Sequence, residues 1–387
     1  MRRTFFLFVS TFITFSTFYG QGGISAKLKE LAVPNSPAFI IVDLTPSVFQ
    51  TPNSPKEFIL GVAQSYQQSS DGFPQNYSAE FTPYWWINPS GRNVYSAVGL
   101  RTTKDSEGRI TAVGKENPFS GLKFATVSVA FLSKDLIPDT AKVNQKIFSV
   151  GVKATIVKIH SKKYGVSLEK SINHWHAAAV EEFTNNREIQ DKLARYNGDK
   201  EEEYQQKLLD HFKTERTGEI VKEITNVISQ KPLFSWDMAA AFATYGISDS
   251  VWRTGRSGIW TTVSTYLPLA LDEERNPKNY LNLNVVFRYL TDKYQLNKQK
   301  QIVSGNSVDA GGKFAMEFDK LSVGIEALHR FKNGKADAQN RTVGVINYKI
   351  ADNLYLRGAF GKNFNTANKL IALFGINWGI GSETVKL

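Results

Sequence analysis

The chain has 387 residues, room for one large domain or two ordinary ones, and no cysteine, which excludes disulfides and an anchor attached through cysteine. Past the first twenty residues no stretch is apolar for the roughly 18 residues that a transmembrane helix needs, and a mean hydropathy of −0.29 suits strands of which one side meets water. The formal net charge is +11; no basic run is interleaved with aromatics, so the excess reads as a surface facing anionic lipid head groups or solvent, with no nucleic acid as partner.

Residues 1–20 carry Arg2 and Arg3, an apolar run from Phe5 to Phe18 and a small residue, Gly20, the pattern of a signal peptide. Residues 21–75 form a Pro-rich segment that is expected to plug or cap the strands beyond it. Within it 38–44 reads as a short strand, and Ser54, Pro55 and Glu57 match a capping box for a short helix at 55–67.

From residue 76 the pattern is of strands. Tyr77, Ala79 and Phe81 alternate with Ser78 and Glu80, ending at Trp85-Trp86. Residues 93–100 suggest a further short strand, then Gly121 to Ser133 and Ile147 to Ile159. Residues 161–232 break the alternation: Tyr204, Leu208, Phe212 and then Ile220, Ile224, Val227, Ile228 recur at helical spacing, so this is a helical insert. Strands resume at 233–245, 257–269, 280–291, 311–318, 321–332, 341–350, 353–361 and 369–381, with 292–310 read as a long loop. Eleven strands plus one from the N-terminal region make an even total of about twelve.

The strands have two chemically different sides. Leu281, Leu283, Val285, Phe287 and Tyr289 share one face, and Asn282, Asn284, Val286 and Arg288 the other. An apolar face as continuous as a core, backed by Gly, Ser, Asn and isolated charges, is what lipid outside and a polar lumen inside select. The expected fold is therefore an all-β membrane protein, an antiparallel transmembrane β-barrel at 76–387 interrupted by the helical insert 161–232. Short connections at 318–321 and 350–353 mark the periplasmic end, and counting strands backward puts the insert at that end too.

Charges expected to line the lumen are Glu80, Lys123, Lys153, Asp237, Arg288, Lys313, Glu317, Glu326 and Arg357. They fill it as a salt-bridge network or select small polar solutes as a pore lining. His174-Trp175-His176 with Glu181 and Glu182 is not a metal site, because ligands two apart on a helix diverge. No catalytic residue is assigned: His329 has no marked serine beside it, and no nucleophile elbow or phosphate loop is present. No cofactor or metal is expected.

Ser36-Pro37-Ala38-Phe39, Thr45-Pro46-Ser47, Thr51-Pro52-Asn53-Ser54-Pro55 and Glu80-Phe81-Thr82-Pro83-Tyr84-Trp85 resemble a family of uncharacterised bacterial outer-membrane β-barrel proteins. The resemblance covers mainly 36–88 and implies the barrel fold, a Pro-rich leader and an aromatic first strand, with no activity to carry over. The ending Thr384-Val385-Lys386-Leu387 departs from the aromatic last residue of many such barrels.

These readings lead to three expectations. The first is an exported, porin-like protein in the bacterial outer membrane, in contact with lipid and passing small polar solutes through a narrow channel. The second is a structural barrel whose helices at 161–232 dock a protein partner. The third, a barrel-embedded hydrolase, is the weakest, and the chain is not expected to be an enzyme.

Overall fold

The computed structural model describes residues 25–27, 36–43, 48–50, 73, 77–86, 94–106, 110–134, 145–185, 215–246, 251–269, 279–296, 302–332, 339–351, 354–362, 364, 370–378 and 384–386. The expected signal peptide and the helix at 55–67 lie outside these residues. No described helix is long and apolar enough to cross a membrane.

Strand β1 (Ser25–Lys27) is followed by helix α1 (Pro37–Ile40), strand β2 (Val48–Gln50), strand β3 (Tyr77–Phe81) and the single turn α2 (Pro83–Trp86). The expected strand at 38–44 is thus a helix. Pro37 at its first position has a preset φ and no N–H to leave unpaired, and these local preferences outweigh the β-branched run after it. Residues 93–100 also differ from expectation: α3 (Val94–Val98) is helical, and Leu100 begins a small hairpin, β4 (Leu100–Lys104) and β5 (Ile110–Glu116).

A 3-10 turn at Ser120–Phe124 precedes β6 (Thr126–Lys134), which pairs with β7 (Gln145–Ile159). After β7 come α4 (Lys163–Asn185) and α5 (Glu215–Ile228), then β8 (Phe234–Gly246), β9 (Trp252–Pro268), β10 (Asn279–Leu296), β11 (Ile302–Phe318), β12 (Leu321–Lys332), β13 (Gln339–Ala351), β14 (Leu354–Lys362) and β15 (Leu370–Trp378). The last strand, β16 (Thr384–Lys386), pairs with β1. Most of the loop expected at 292–310 is ladder. β10 and β11 continue to Leu296 and Ile302 across an irregularity between Asp292 and Gln295, which breaks the alternation that would otherwise announce a strand.

The protein is mostly antiparallel β. Among the described residues β3, β6 and then β7 to β15 pair in order, each antiparallel to the one before. An odd run of this kind leaves its first and last strands pointing the same way. β2 lies between them and pairs in parallel with both, three residues to β15 and three to β3. The antiparallel ladder alone is an open sheet, and this short parallel bridge turns the strand order into a ring.

The two sides of the ladder differ as the alternation requires. Val285, Phe287 and Ile325 are 52%, 54% and 59% exposed on the outer side. Asn282, Arg288, Ser307, Asp309 and Asn347 are buried on the inner side. The interior holds α1. Ala38, Phe39, Ile41 and Val42 pack there against Ala130, Ile147, Trp260 and Ala239, Ala241 and Ala243 of β8.

A second core lies apart from the sheet. Tyr164, Leu168 and Ile172 of α4, at four-residue spacing, meet Ile220, Ile224 and Val227 of α5 and the residues Val94, Val98 and Leu100. The helical insert therefore shares its core with α3 and the β4–β5 hairpin. It leaves the sheet where β7 ends and returns where β8 begins, at the end that also carries the turn 318–321 and the Ala351–Leu354 pairing of β13 with β14. β1 and β16 reach the same end, against α5 and α3.

Candidate functional site: a carboxylate gripped by three arginines

α1 sits close against one wall because that wall is made of small residues. Ser78 Oγ donates a hydrogen bond to Ser36 Oγ at 3.1 Å. The Ala38 amide donates to Ser128 Oγ at 3.1 Å, and Ser149 Oγ donates to the Ala38 carbonyl at 2.5 Å. A Cβ on Gly151 would lie 2.6 Å from Pro37 Cβ and 2.9 Å from the Ala38 nitrogen, so only glycine admits the helix at this distance.

The opposite wall grips the end of α1 with charge. Asp43 stands at φ +55°, a left-handed conformation that few non-glycine residues adopt and that Asp tolerates better than most. Its carboxylate accepts from Arg256 Nη1 at 2.9 Å, Arg288 Nη2 at 2.6 Å and Arg330 Nη2 at 3.0 and 3.2 Å. Arg256 and Arg288 also donate to the carbonyls of Ile41 and Ile40, at 3.0 and 2.9 Å, at the C-terminal end of the helix, where carbonyls run short of intrahelical partners.

The arginines are themselves held from behind. Arg330 forks onto Asp309, Nε to Oδ1 at 2.7 Å and Nη2 to Oδ2 at 2.9 Å. Arg288 Nε meets the same carboxylate at 2.8 Å, and Arg256 Nε and Nη2 meet Asp292 Oδ2 at 3.0 and 2.6 Å. The Phe364 ring covers Arg330, 3.8 Å from its guanidinium carbon. Buried charges survive only when paired and hydrogen-bonded, and every member of this cluster is both.

Of the residues singled out in the sequence, Arg288 alone belongs to this cluster. Glu80 is buried and meets Lys153 Nζ at 3.1 Å. Asp237 accepts from Thr155 Oγ1 at 2.6 Å. Glu317 accepts from Asn282 Nδ2 at 2.7 Å and lies 3.5 Å from Lys231 Nζ, while Glu326 is 3.0 Å from Arg341 Nε. Lys313 stands in register opposite Asn284 and Glu326, and Arg357 opposite Asn347 and Gly375. Lys123 is a correction: it lies on the 3-10 turn before β6, exposed, with its ammonium over the Tyr84 and Phe124 rings at 5.6 and 5.1 Å.

Sequence reasoning missed Asp43, Arg256, Asp292 and Asp309, and it did not single out Arg330. Asp309 had a signal, since Ser307, Asp309, Gly311 and Lys313 continue one period-two face. Asp43 had none, because its partners lie more than two hundred residues away.

A smaller polar cluster joins the sheet to the second core. His160 donates its backbone N–H to Glu116 Oε2 at 2.8 Å, its Nδ1 lies 2.6 Å from Glu116 Oε1, and its ring stacks on Tyr164 at 4.0 Å. Burial depresses the His160 imidazole below its ordinary value, with the Glu116 hydrogen bond offsetting part of the shift. Burial works to raise Glu116, but the hydrogen bonds from His160 hold it below the ordinary carboxylate value. His174 faces Glu223 at 3.5 Å, and the described residues contain no group of three or more metal-ligand side chains. His329 lies beside Asn340 Oδ1, 2.5 Å from its Nδ1, and against the Phe331 ring.

Fold and site together define a predominantly antiparallel β protein whose sheet encloses a segment of its own N-terminal chain, pinned by an aspartate in an arginine cluster. Compared with family models, curated proteins and solved structures, the chain matches none.

Proposed function

We propose that the protein is an outer-membrane β-barrel of twelve strands acting as a narrow channel for small polar solutes, with residues 36–43 as its internal plug. The observation that carries this reading is the inversion of the sheet. Large apolar side chains such as Val285, Phe287, Ile325 and Phe360 are exposed on the outside, while charges are buried inside. In water such an apolar belt far exceeds what a soluble monomer leaves uncovered. In lipid it is the expected surface, and a ring without free edges is the form in which a sheet crosses a bilayer.

The plug supports a channel over a purely structural barrel. A lumen with no traffic could be filled by its own side chains. Here small residues make room for a backbone segment, and charges hold it by a few reversible contacts. The periplasmic end is read from the tight turns, which puts the helical unit there as well.

Planar-bilayer recording tests the reading. The full chain is expected to conduct rarely and briefly, and a chain lacking residues 21–43, which retains β2, to conduct steadily. Silence from both, with the variant correctly inserted, would sink it. The alternative, a barrel that docks a protein partner through its helices, is favoured by the separate core shared by α3, α4 and α5.

A further inference from the structure

The geometry points to a binding site for a small carboxylate at Arg256, Arg288 and Arg330, which the plug occupies with the Asp43 side chain as a stand-in for the solute. The inference rests on the channel reading for the route by which a solute arrives. The site itself rests on charge and hydrogen-bond geometry.

Three guanidiniums here face three carboxylates: Asp43, Asp292 and Asp309. Asp292 and Asp309 belong to β10 and β11 and stay with the sheet. Asp43 alone leaves with the plug. Displacement of α1 therefore strips one negative charge from a buried cluster, beside which Lys332 and Arg341 add further positive charge, and leaves donors aimed at an empty position. Uncompensated buried charge is strongly unfavourable, so the vacated position draws in an anion.

The donors also specify its shape. Both Asp43 oxygens are engaged, Oδ1 by Arg288 and Arg330 and Oδ2 by Arg256 and Arg330, so a planar two-oxygen anion fills the position without remaking the arginines. Their rear contacts to Asp292 and Asp309 do not involve the plug, so the fork directions persist when it moves. The site is thus pre-organised for carboxylate, and the plug holds it shut by mimicry.

Asp43→Gly vacates the carboxylate while letting the backbone keep φ +55°, and Asp43→Asn leaves the position filled by a neutral group of the same shape. The test uses full-length protein in detergent, with thermal unfolding in sodium acetate against sodium chloride at equal ionic strength. Acetate is expected to raise the midpoint of Asp43→Gly by about 2–4 °C and to leave the wild type and Asp43→Asn unmoved. No rise for Asp43→Gly overturns the site, and a larger rise with inorganic phosphate overturns the assignment to carboxylate.

If Asp43→Gly does not assemble, the chain lacking 21–43 presents the same arginines to acetate in a calorimetric titration. Binding there should fall at least tenfold with Arg288→Gln, and an unchanged affinity overturns the site. Acetate binding in a protein that never conducts would keep the site and sink the channel. Conductance without acetate binding or anion preference would do the reverse.

Discussion

Asp309 is the residue on which the interior turns. It is fully buried and accepts from both Arg288 and Arg330, so it fixes two of the three guanidiniums that reach the plug. Removing one member of a buried pair leaves the other uncompensated. Asp309→Ala is therefore expected to cost about 3–5 kcal/mol, seen as a lowered unfolding midpoint, together with release of the plug. A midpoint within experimental error of the wild type would refute the role. The same residue measures what the sequence could disclose. Its face was legible from Ser307 and Gly311, but its strand was not, because the irregularity near Asp292 made 292–310 read as loop.

Among the elements, the junction between sheet and helices carries a dependence on pH. His160 and Glu116 both bind their protons more weakly when folded than when unfolded. The unfolded chain therefore takes up protons first as pH falls. The stability these groups contribute is complete above the ordinary imidazole value, near 6.5, and declines below it, with a further loss through the carboxylate range. Amides of β5 and the first turn of α4 are expected to open more often at pH 5.5 than at 7.5, measured by hydrogen exchange corrected for its intrinsic rate. The difference should shrink in His160→Gln, and a flat profile in the wild type would remove the argument.

Helical spacing revealed the Ile220–Ile224–Val227 stripe of α5, yet not that α3 and the β4–β5 hairpin share its core. Those pieces are short, and their contacts with α4 span some seventy residues of sequence. Excising 161–232 would consequently uncover Val94, Val98 and Leu100, so the smallest separable unit includes residues 94–116 as well.

At the scale of the whole molecule the outer face is the part most legible in the sequence. Period-two alternation placed Leu283, Val285, Phe287 and Tyr289 together, and all four are exposed. What alternation cannot report is local irregularity. A bulge between Thr155 and Val157 changes which residues of β7 face outward, so Val157 pairs with Trp236 where the simple pattern would have continued through Ile156. The outer face also separates lipid from water as its solvent. Val285→Arg should cost about 2–4 kcal/mol in a bilayer near its midplane, whereas an exposed position in water would change by no more than about 0.5 kcal/mol. Heat-modifiable mobility and the yield of membrane-inserted protein would read the difference, and a neutral outcome would place the belt in water.

Both ends of the plug continue into paired strands, β1 behind it and β2 ahead of it. It is a tether anchored twice, with Asp43 five residues from Val48 and Ser36 nine from Lys27. At no more than about 3.6 Å per residue, the carboxylate cannot stray far from the arginines even when released. Its effective local concentration is then of millimolar order or higher. On the proposed channel reading, a free carboxylate would compete against that internal concentration, so such a protein would answer to abundant solute and ignore traces, its threshold set by the five residues from Asp43 to Val48 and the nine from Lys27 to Ser36.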